Sequence, residues 1–314
     1  MTKHHSNPPI LRLGTRSSPL AMAQAEEARA RLCAAHGWDI GTVELVPVVA
    51  SGDKIQDRPL ADIGGKALWT RELDHWLADG AIDAAVHSMK DVETLRPDAF
   101  AIAAILPRAP RADRLLGAAS LAQLPKGAVV GTSAPRRAAQ LLNQRPDCSV
   151  VSLRGNVATR MAKLGAGEVD ATFLAAAGLD RLGLDDVGVT LDPAEWMPAP
   201  AQGAIGLECR ADDAEARALL AAIDEPGDHA QILAERSLLR GLGGSCDSPI
   251  AALTRLEGER ITLRAAIFSG EGQERVEAEA QFAVSDHAAA VNLAKQMLED
   301  ASDAVRASFD GIRA

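Results

Sequence analysis

The alternation of strand-like and helix-like segments constrains the fold of this chain more than any other feature. The run Ile10–Thr15 is typical of a strand, and Ser18 followed by Pro19 is typical of a helix start. The Val-rich run Thr42–Ala50 predicts the next strand, and the alternation returns over residues 128–176. Because such alternation is typical of parallel sheets covered by helices, we predict the α/β class.

Two proline-containing breaks interrupt this alternating region. They are Pro107–Arg111 and Pro193–Pro200, and we expect the chain to cross from one lobe to another at each of them. The predicted lobes are therefore residues 10–106 plus 201–223, which form a discontinuous lobe 1, and residues 107–200, which form lobe 2.

Residues 224–314 follow a different pattern. Apolar and polar residues alternate along Ile261–Ile267 and again along Val276–Phe282, which predicts an antiparallel hairpin with one wet face. Ser285 stands where it would cap a final helix with a stripe of small apolar residues. We predict a third, small α+β domain here.

Composition narrows the class of protein. Lys and Arg number 33 against 43 Asp and Glu, so the net charge is −10, and aromatic residues make up only 3%. This balance disfavours nucleic-acid and membrane partners. Four cysteines in 314 residues are too sparse for a disulfide framework, which favours a reducing, cytoplasmic location. The N-terminal residues show no secretion signal, and no His or Cys spacing indicates a metal site.

Three loops share one design, in which a strand ends, hydroxyl or glycine residues and an arginine follow, and a helix begins. They are Gly14–Pro19, Gly131–Arg137 and Leu153–Asn156. Backbone N–H groups at a helix start favour anions, and an arginine fork matches a carboxylate or a phosphate. We predict that a polyanion binds between the two lobes at the strand ends. These residue types do not distinguish a ligand with carboxylate groups from one with phosphate groups.

Two further places carry reactive side chains. Lys90 and Asp91 follow the buried strand-like run Ile82–His87. They are either a strand-end ion pair or a carboxylate held in a cleft for proton transfer or for stabilising a cation. Cys246 follows the glycine pair Gly243–Gly244. It is either a small buried residue or an accessible functional thiol.

Eight segments between about residues 10 and 255 carry a resemblance to a known family. They are LGTRSSPLAMAQ, VASGDKIQDRPLADIGGKALWTREL, DAAVHSMKDV, GTSAPRRAAQL, SLRGNVATRMAKL, LAAAGLDRLGL, PAQGAIGLEC and LGGSCDSPI. In content and order they resemble the porphobilinogen deaminases, also called hydroxymethylbilane synthases. The segments VHSMKDV and LRGNVATR are the most specific.

The resemblance implies a fold of two periplasmic-binding-protein-like (type II) lobes with a small third α+β domain. It implies a transferase of heme and tetrapyrrole biosynthesis that joins four porphobilinogen molecules head to tail, releasing ammonia, to give hydroxymethylbilane. It also implies a dipyrromethane cofactor, bound to Cys246 through a thioether. A monomer is expected, with the product passed to a uroporphyrinogen-III synthase.

Roles for individual residues also follow from the resemblance. Asp91 is expected to be catalytic, by hydrogen-bonding pyrrole N–H groups and stabilising the cation that forms as ammonia leaves. Each ring carries an acetate and a propionate for the basic residues to bind. The expected cofactor-binding residues are Cys246, Arg16, Ser18, Lys90, Thr132, Ser133, Arg136, Arg137, Arg154 and Gly155. The expected substrate-binding residues are Arg16, Gln24, Lys66, Trp69, Arg154, Arg160, Arg181 and Gln202.

Three positions depart from the family pattern, and one alternative function remains. Ala134 replaces a serine, Asp62 stands where some members carry lysine, and Ser245 separates the glycine pair from Cys246. The alternative is a two-lobe binding or sensor protein for small anions, since the same scaffold serves both functions. Such a binder does not need an accessible thiol.

Overall fold

The computed structural model describes residues 10–48 and 70–309. Asp62, Lys66 and Trp69 lie outside these described residues. In the described part the chain forms two compact units. The first comprises residues 10–48, 70–92, 96–107 and 205–229, and the second comprises residues 93–95, 108–204 and 230–309. The crossings at 107/108 and 204/205 lie close to the two predicted ones. The second unit holds both the predicted lobe 2 and the C-terminal region, so the division into three domains stays a prediction.

The elements of both units are short and alternate over most of the chain. The strands are β1 (Leu11–Arg16), β2 (Val43–Val48), β3 (Ala84–Ser88), β4 (Phe100–Ile105), β5 (Asp113–Leu116), β6 (Val129–Gly131), β7 (Ser149–Val151), β8 (Ala171–Ala175), β9 (Val189–Thr190), β10 (Ile205–Arg210), β11 (Ile250–Glu257), β12 (Arg260–Phe268) and β13 (Arg275–Ala283). The helices are α1 (Pro19–His36), α2 (Arg71–Ala78), α3 (Pro135–Gln144), α4 (Val157–Gly165), α5 (Ala176–Asp180), α6 (Ala214–Ala221), α7 (Pro226–Leu242), α8 (Ala289–Glu299) and α9 (Asp303–Arg306). Among them, no helix is long and apolar enough to cross a membrane.

The first unit is built on a five-stranded sheet in the order β2-β1-β3-β10-β4. Strands β1, β2 and β3 run parallel, as the alternation predicts, while β10 pairs antiparallel with both β3 and β4. The predicted parallel strands are present, and the antiparallel strand β10 is an addition that the alternation did not predict. The reason is that β10 follows the second crossing and enters the sheet from the opposite end. Leu11 and Leu13 of β1 pack with Leu32 of α1 in a core where all three side chains are fully buried.

The second unit contains a sheet of the same design. Its order is β7-β6-β8-β5-β9, with β6, β7 and β8 parallel and β5 antiparallel to β8 and β9. Again the strand nearest a crossing, β5, is the antiparallel one, and it stands fourth in its sheet as β10 does in the first. Phe173 and Trp196 stack in its core with ring centroids 4.7 Å apart. Two α/β sheets of one topology agree with the predicted fold class.

The C-terminal region of the second unit is a three-stranded antiparallel sheet, β11-β12-β13. The predicted hairpin is confirmed, since Ile261 pairs with Phe282 and Ile267 with Val276. Strand β11 was not predicted. The helix predicted after Ser285 begins instead at Ala289, because the Asp286 carboxylate accepts from the Ala288 and Ala289 N–H groups.

Helices α7 and α8 pack closely beneath this sheet. A Cβ atom at Gly241 would lie 2.6 Å from the Ala294 Cβ, so only glycine allows this approach. A buried ion pair, Arg108 to Glu235 at 2.8 Å, joins α7 to the start of the segment 108–204 within the second unit. The Glu235 carboxylate also accepts from the Thr254 hydroxyl at 2.6 Å.

Candidate functional site

Asp91 lines a pocket in the first unit. It lies half-buried at the end of a single 3₁₀ turn, Met89–Asp91, that directly follows β3. The other lining residues are Arg16, Ala21, Gln24, Thr70, Val86, His87, Ser88 and Val92. Three residues predicted from the sequence, namely Arg16, Gln24 and Asp91, are thus brought together.

Sheet topology explains why these three residues meet. Strands β1 and β3 are parallel neighbours, so their carboxyl ends lie at the same edge, where ligands of open α/β sheets bind. Arg16 is the last residue of β1, and Asp91 follows β3 by one turn. Gln24 is buried on α1.

Ser18 is the N-cap residue of α1. Its backbone is extended, and its side chain accepts from the Ala21 N–H at 3.4 Å, as an N-cap does. Pro19 stands at the first helical turn, as predicted. Ser18 therefore holds the helix start in place. It does not line the pocket, and neither does Lys90, which is half-buried in the turn before Asp91.

A buried charged cluster lies beside this pocket. The His87 Nε2 lies 3.3 Å from the Glu208 Oε2, and Arg96 donates to both oxygens of Glu208 at 2.9 and 2.7 Å. Arg96 also pairs with Asp74. Burial by itself raises the pKa of Glu208, but the interactions with His87 and Arg96 outweigh it and lower the pKa to about 2. Glu208 is a fixed anion facing a pocket residue.

A second charged cluster in the second unit is built on Asp113. Its fully buried carboxylate accepts from Arg136 at 2.7 Å and from Arg137 at 2.6 Å. It also accepts from the Trp196 Nε1 at 2.9 Å and the Gln202 Nε2 at 2.9 Å. Burial raises the pKa of Asp113, but the two arginines outweigh this and hold it far below its usual range. Asp113 is therefore ionised.

The two arginines at the start of α3, which are expected to bind the cofactor, are buried. Both are about 95% shielded, with exposures of 4% for Arg136 and 5% for Arg137. Arg136 also donates to the Met197 carbonyl at 2.8 Å, and Arg137 to the Phe173 carbonyl at 3.0 Å. Within the described residues, the Arg136 Nε has no hydrogen-bond partner. Two cations share one anion, so the cluster carries an excess positive charge.

Gln202 is the predicted substrate-binding residue whose surroundings differ most from the expectation. It is only 1% exposed. Its amide nitrogen donates to Asp113 and also to the Arg111 carbonyl at 2.6 Å. The observed contacts of this side chain are thus internal.

The loop before α3 also holds Thr132 and Ser133. The Thr132 hydroxyl accepts from the Ala134 N–H at 3.2 Å, and Ala134 itself caps α3 without a side-chain hydrogen bond. The Ser133 hydroxyl lies 3.1 Å from that of Ser152 and is exposed. Ser133 is therefore the accessible hydroxyl of this loop.

The loop after β7 holds Arg154 and Gly155, and Arg160 follows on α4. Gly155 has φ +116°, a conformation that favours glycine, and a Cβ there would lie 2.6 Å from the Thr159 side chain. The Arg160 Nε donates to the Gly155 carbonyl at 2.9 Å, and Arg154 is half-buried. Arg181, at the end of α5, donates to the Gly203 carbonyl at 3.3 Å.

Cys246 stands at the tip of a tight turn in the second unit. Helix α7 ends in a Schellman motif, in which Gly243 has φ +65° and the Gly243 and Gly244 N–H groups donate to Arg240 and Leu239. The following turn is closed by a hydrogen bond from the Ser248 N–H to the Ser245 carbonyl at 3.0 Å. Its second residue, Cys246, is exposed.

The other three cysteines, Cys33, Cys148 and Cys209, are buried. Burial raises the pKa of the Cys209 thiol to about 11 and also raises that of Cys148, so both thiols are poor nucleophiles. Among the described residues, no group of three His, Cys, Asp or Glu side chains could hold a metal ion.

Several residues of these clusters were not predicted from the sequence, among them His87, Glu208 and Asp113. His87 lies inside the motif that singled out Asp91, and its place opposite the pocket could have been read from that motif. Glu208 and Asp113 gave no such signal, because their partners are distant in sequence.

Comparison with known proteins matches nearly the whole chain. A family model described as porphobilinogen deaminase, dipyromethane cofactor binding domain, matches residues 11–218, and one described as its C-terminal domain matches residues 229–302. A protein named porphobilinogen deaminase from Sphingopyxis alaskensis is 53% identical over 305 residues, covering 95% of this chain and 96% of that protein. One of that name from Paracoccus denitrificans is 48% identical over 282 residues, covering 89% and 90%.

A solved structure with a weaker match is the second substrate binding domain of a putative amino acid ABC transporter from Streptococcus pneumoniae. It is 13% identical, covers 71% of this chain and 96% of that one, and has a TM-score of 0.43.

Proposed function

The chain belongs to the porphobilinogen deaminase family, and we propose that it joins four porphobilinogen molecules into hydroxymethylbilane on a primer attached to Cys246. It is accordingly a hydroxymethylbilane synthase, a transferase of tetrapyrrole synthesis with a dipyrromethane-binding domain. The roles of individual residues in this reaction are part of the proposal.

Cys246 carries the proposal. A thioether needs an accessible sulfur with open space around it, and Cys246 is the exposed one of the four cysteines. The turn Ser245–Ser248 supports it by placing the thiol at its tip. The extra Ser245 fits this geometry, since its backbone groups close the turn and its hydroxyl accepts from the Asp247 N–H at 3.2 Å. When bound there, dipyrromethane supplies the pyrrole α-carbon to which the first substrate is joined.

Asp91 is the proposed catalytic residue. Within the described residues its carboxylate makes no hydrogen bond or ion pair with the protein, so both oxygens can accept from pyrrole N–H groups. A carboxylate beside a substrate ring that becomes cationic as ammonia leaves stabilises that charge, and such fixed electrostatics lower barriers strongly. The same oxygens can take the proton that is lost when two rings join.

Basic residues would bind the acetate and propionate groups. Arg16 lines the Asp91 pocket of the first unit, while in the second unit Arg154 lies in the loop after β7 and Arg160 on α4. The exposed Ser133 hydroxyl can also donate to a ligand carboxylate. Arg136 and Arg137 fit a ligand carboxylate by their excess positive charge over Asp113 and by the unsatisfied Arg136 Nε. A buried uncompensated charge costs several kcal/mol, and a bound carboxylate would offset part of that cost.

The proposal also covers the location of the protein, its oligomeric state and the enzyme that receives its product. We expect a cytoplasmic monomer that passes its product to a uroporphyrinogen-III synthase. The net charge of −10 and the sparse cysteines support this.

Intact-mass measurement of the purified protein tests the proposal. We expect the mass of a dipyrromethane on the wild type, no added mass on Cys246→Ser, and loss of nearly all porphobilinogen consumption in that variant. Cys33→Ser, at a buried cysteine, is the matched control and should keep the added mass. A fully active Cys246→Ser protein would contradict the mechanism, and a chain that binds anions without added mass would favour the binding or sensor alternative.

A further inference from the structure

Arg96 lies between two carboxylates of the first unit. Its guanidinium donates to both oxygens of Glu208, through Nε at 2.9 Å and through Nη2 at 2.7 Å. It also donates to both oxygens of Asp74, through Nη1 at 3.1 Å and through Nη2. Because one planar fork serves both carboxylates, Arg96 fixes the separation of β10, which carries Glu208, and α2, which carries Asp74.

The sheet register explains why Glu208 meets His87. In the antiparallel pair of β3 and β10, Glu208 is opposite Ala85 and Gly206 is opposite His87. Opposed residues point to one face of a sheet, and so do residues two apart along a strand. His87 and Glu208 therefore lie diagonally on one face, and the His87 Nε2 is 3.3 Å from the Glu208 Oε2. Ala85 shares a buried cluster with Leu73 of α2, so α2 covers this face.

Both ends of this chain of contacts reach the pocket of Asp91. At one end, His87 lines the pocket and is 6% exposed. At the other end, Thr70 lines the pocket and is 3% exposed, and its carbonyl accepts from the Asp74 N–H at 2.8 Å. We call this chain of contacts the Arg96 network, and its members are Thr70, Asp74, Arg96, Glu208 and His87.

The central pairs of the Arg96 network are charged at neutral pH. Burial by itself lowers the pKa of Arg96, but the hydrogen bonds and charges of Glu208 and Asp74 outweigh it and raise the pKa above its ordinary value. The pKa of Glu208 is about 2, so this carboxylate is ionised. Charge-assisted hydrogen bonds of this kind are stronger than neutral ones and are specific in geometry.

We propose that Arg96 is a positioning residue, which holds the Thr70 and His87 walls of the pocket at a fixed separation beside Asp91. The proposal rests on the assigned function of Asp91. Arg96 is not among the described residues that line the pocket, so it acts through Glu208 and Asp74. A displacement of about 1 Å at a reacting group is enough to cost a large factor in rate.

Proton NMR of the primer-loaded enzyme tests whether Arg96 holds the His87 wall. Arg96→Lys keeps the positive charge but replaces the fork by a single ammonium group, which cannot bind two carboxylates in the same geometry. The Hε1 signal of His87, identified by its loss in His87→Gln, should shift in Arg96→Lys. Arg217→Lys, at an exposed arginine of the same unit, is the matched control and should leave the signal in place. A His87 signal that does not move in Arg96→Lys overturns the proposal.

Steady-state kinetics give the second readout. For Arg96→Lys we expect kcat to fall about tenfold, with the bound dipyrromethane mass retained, because the pocket walls shift. KM should stay within about twofold, since the substrate-binding residues Arg16 and Gln24 are carried by β1 and α1. A purely structural role would instead lower the melting temperature and leave kcat unchanged at temperatures where the protein is folded, and that result contradicts the proposal.

A milder variant keeps the test decisive if Arg96→Lys does not fold. Asp74→Asn removes the charge of one carboxylate and leaves the pair of Arg96 with Glu208. We expect a smaller fall in kcat with KM again unchanged, and Asp79→Asn, at an exposed residue that follows the same helix, should keep the wild-type kcat. Equal kcat values in Asp74→Asn and Asp79→Asn would count against the network.

The outcomes are separate from those that test the proposed function. Full activity of Asp91→Ala would remove the assigned role of Asp91. The shift of the His87 signal would still report whether Arg96 holds this wall of the pocket.

Discussion

Asp113 and Arg137 face each other at 2.6 Å in a fully buried ion pair, and Arg136 shares the same carboxylate. Because one anion serves two buried cations, we expect Asp113→Asn to lower the free energy of unfolding by about 3–5 kcal/mol. Urea denaturation followed by circular dichroism measures this. Asp147→Asn, at an exposed ion pair with Arg145, is the control and should unfold close to the wild-type midpoint. If Asp113→Asn unfolded at the same urea concentration as the wild type, the cluster would make no net contribution to the free energy of unfolding.

Asp91→Ala should separate catalysis from folding. The side chain is half-buried and makes no ion pair among the described residues, so its removal should leave the melting temperature within about 2 °C, as for most surface substitutions. We expect kcat to fall by at least about a hundredfold, as for the loss of a general acid or base. Steady-state kinetics with a parallel mass measurement check both.

The control for Asp91→Ala is Asp98→Ala, at an exposed residue of the same loop, which should keep full activity. Equal loss of bound cofactor and of turnover in Asp91→Ala would instead assign Asp91 a structural role.

The lowered pKa of Glu208 predicts that part of the folding stability is lost in acid. Its pKa is about 2 in the folded protein and 4.5 ordinarily, so the folded state binds its proton less readily than the unfolded state does. Its stabilisation is therefore complete above about pH 4.5 and is lost as the pH falls towards 2, on the order of 3 kcal/mol.

Glu208→Gln should flatten the dependence of unfolding free energy on pH in that window, because the titrating group is gone. Urea denaturation at pH 2.5 to 6 measures the slope. Glu215→Gln, at an exposed residue, should keep the wild-type slope. An unaltered slope in Glu208→Gln would mean that other carboxylates dominate acid unfolding.

Gly241→Ala tests the close packing of α7 against α8. The added Cβ would lie 2.6 Å from the Ala294 Cβ and 3.1 Å from the Val291 Cα, so the helices must separate. We expect a loss of about 1–3 kcal/mol in unfolding free energy, typical of overpacking. Gly165→Ala is the matched control, since a Cβ there meets nothing within 4 Å. Adding Ala294→Gly to Gly241→Ala should recover part of the loss, and the absence of any recovery would count against this contact.

The parts of the fold and site that could be predicted from the sequence are the local ones. Ser18 and Pro19 start α1 because capping depends on a few neighbouring residues, and Arg16 shares the pocket with Asp91 because parallel strands align their ends. The hairpin of β12 and β13 could be predicted because apolar and polar residues alternate along both strands.

What the sequence could not predict depends on distant partners. The antiparallel direction of β10 depends on the end of the first sheet at which the chain re-enters it, and no local residue pattern shows this. The burial of Arg136 depends on Asp113, 23 residues away, and on Met197 and Gln202. The helix predicted at Ser285 failed for a local reason, since Asp286 captures the first N–H groups.

The central place of β10 has a consequence for synthesis on the ribosome. Strand β10 lies between β3 and β4 in the first sheet, yet it is made only after the entire second sheet. During vectorial synthesis, β1 to β4 must wait with an open gap between β3 and β4 until residue 210 has left the exit tunnel. The facing edges of β3 and β4 thus stay unpaired while residues 106–210 are made, and wrong strand pairing competes with the native pairing over that interval.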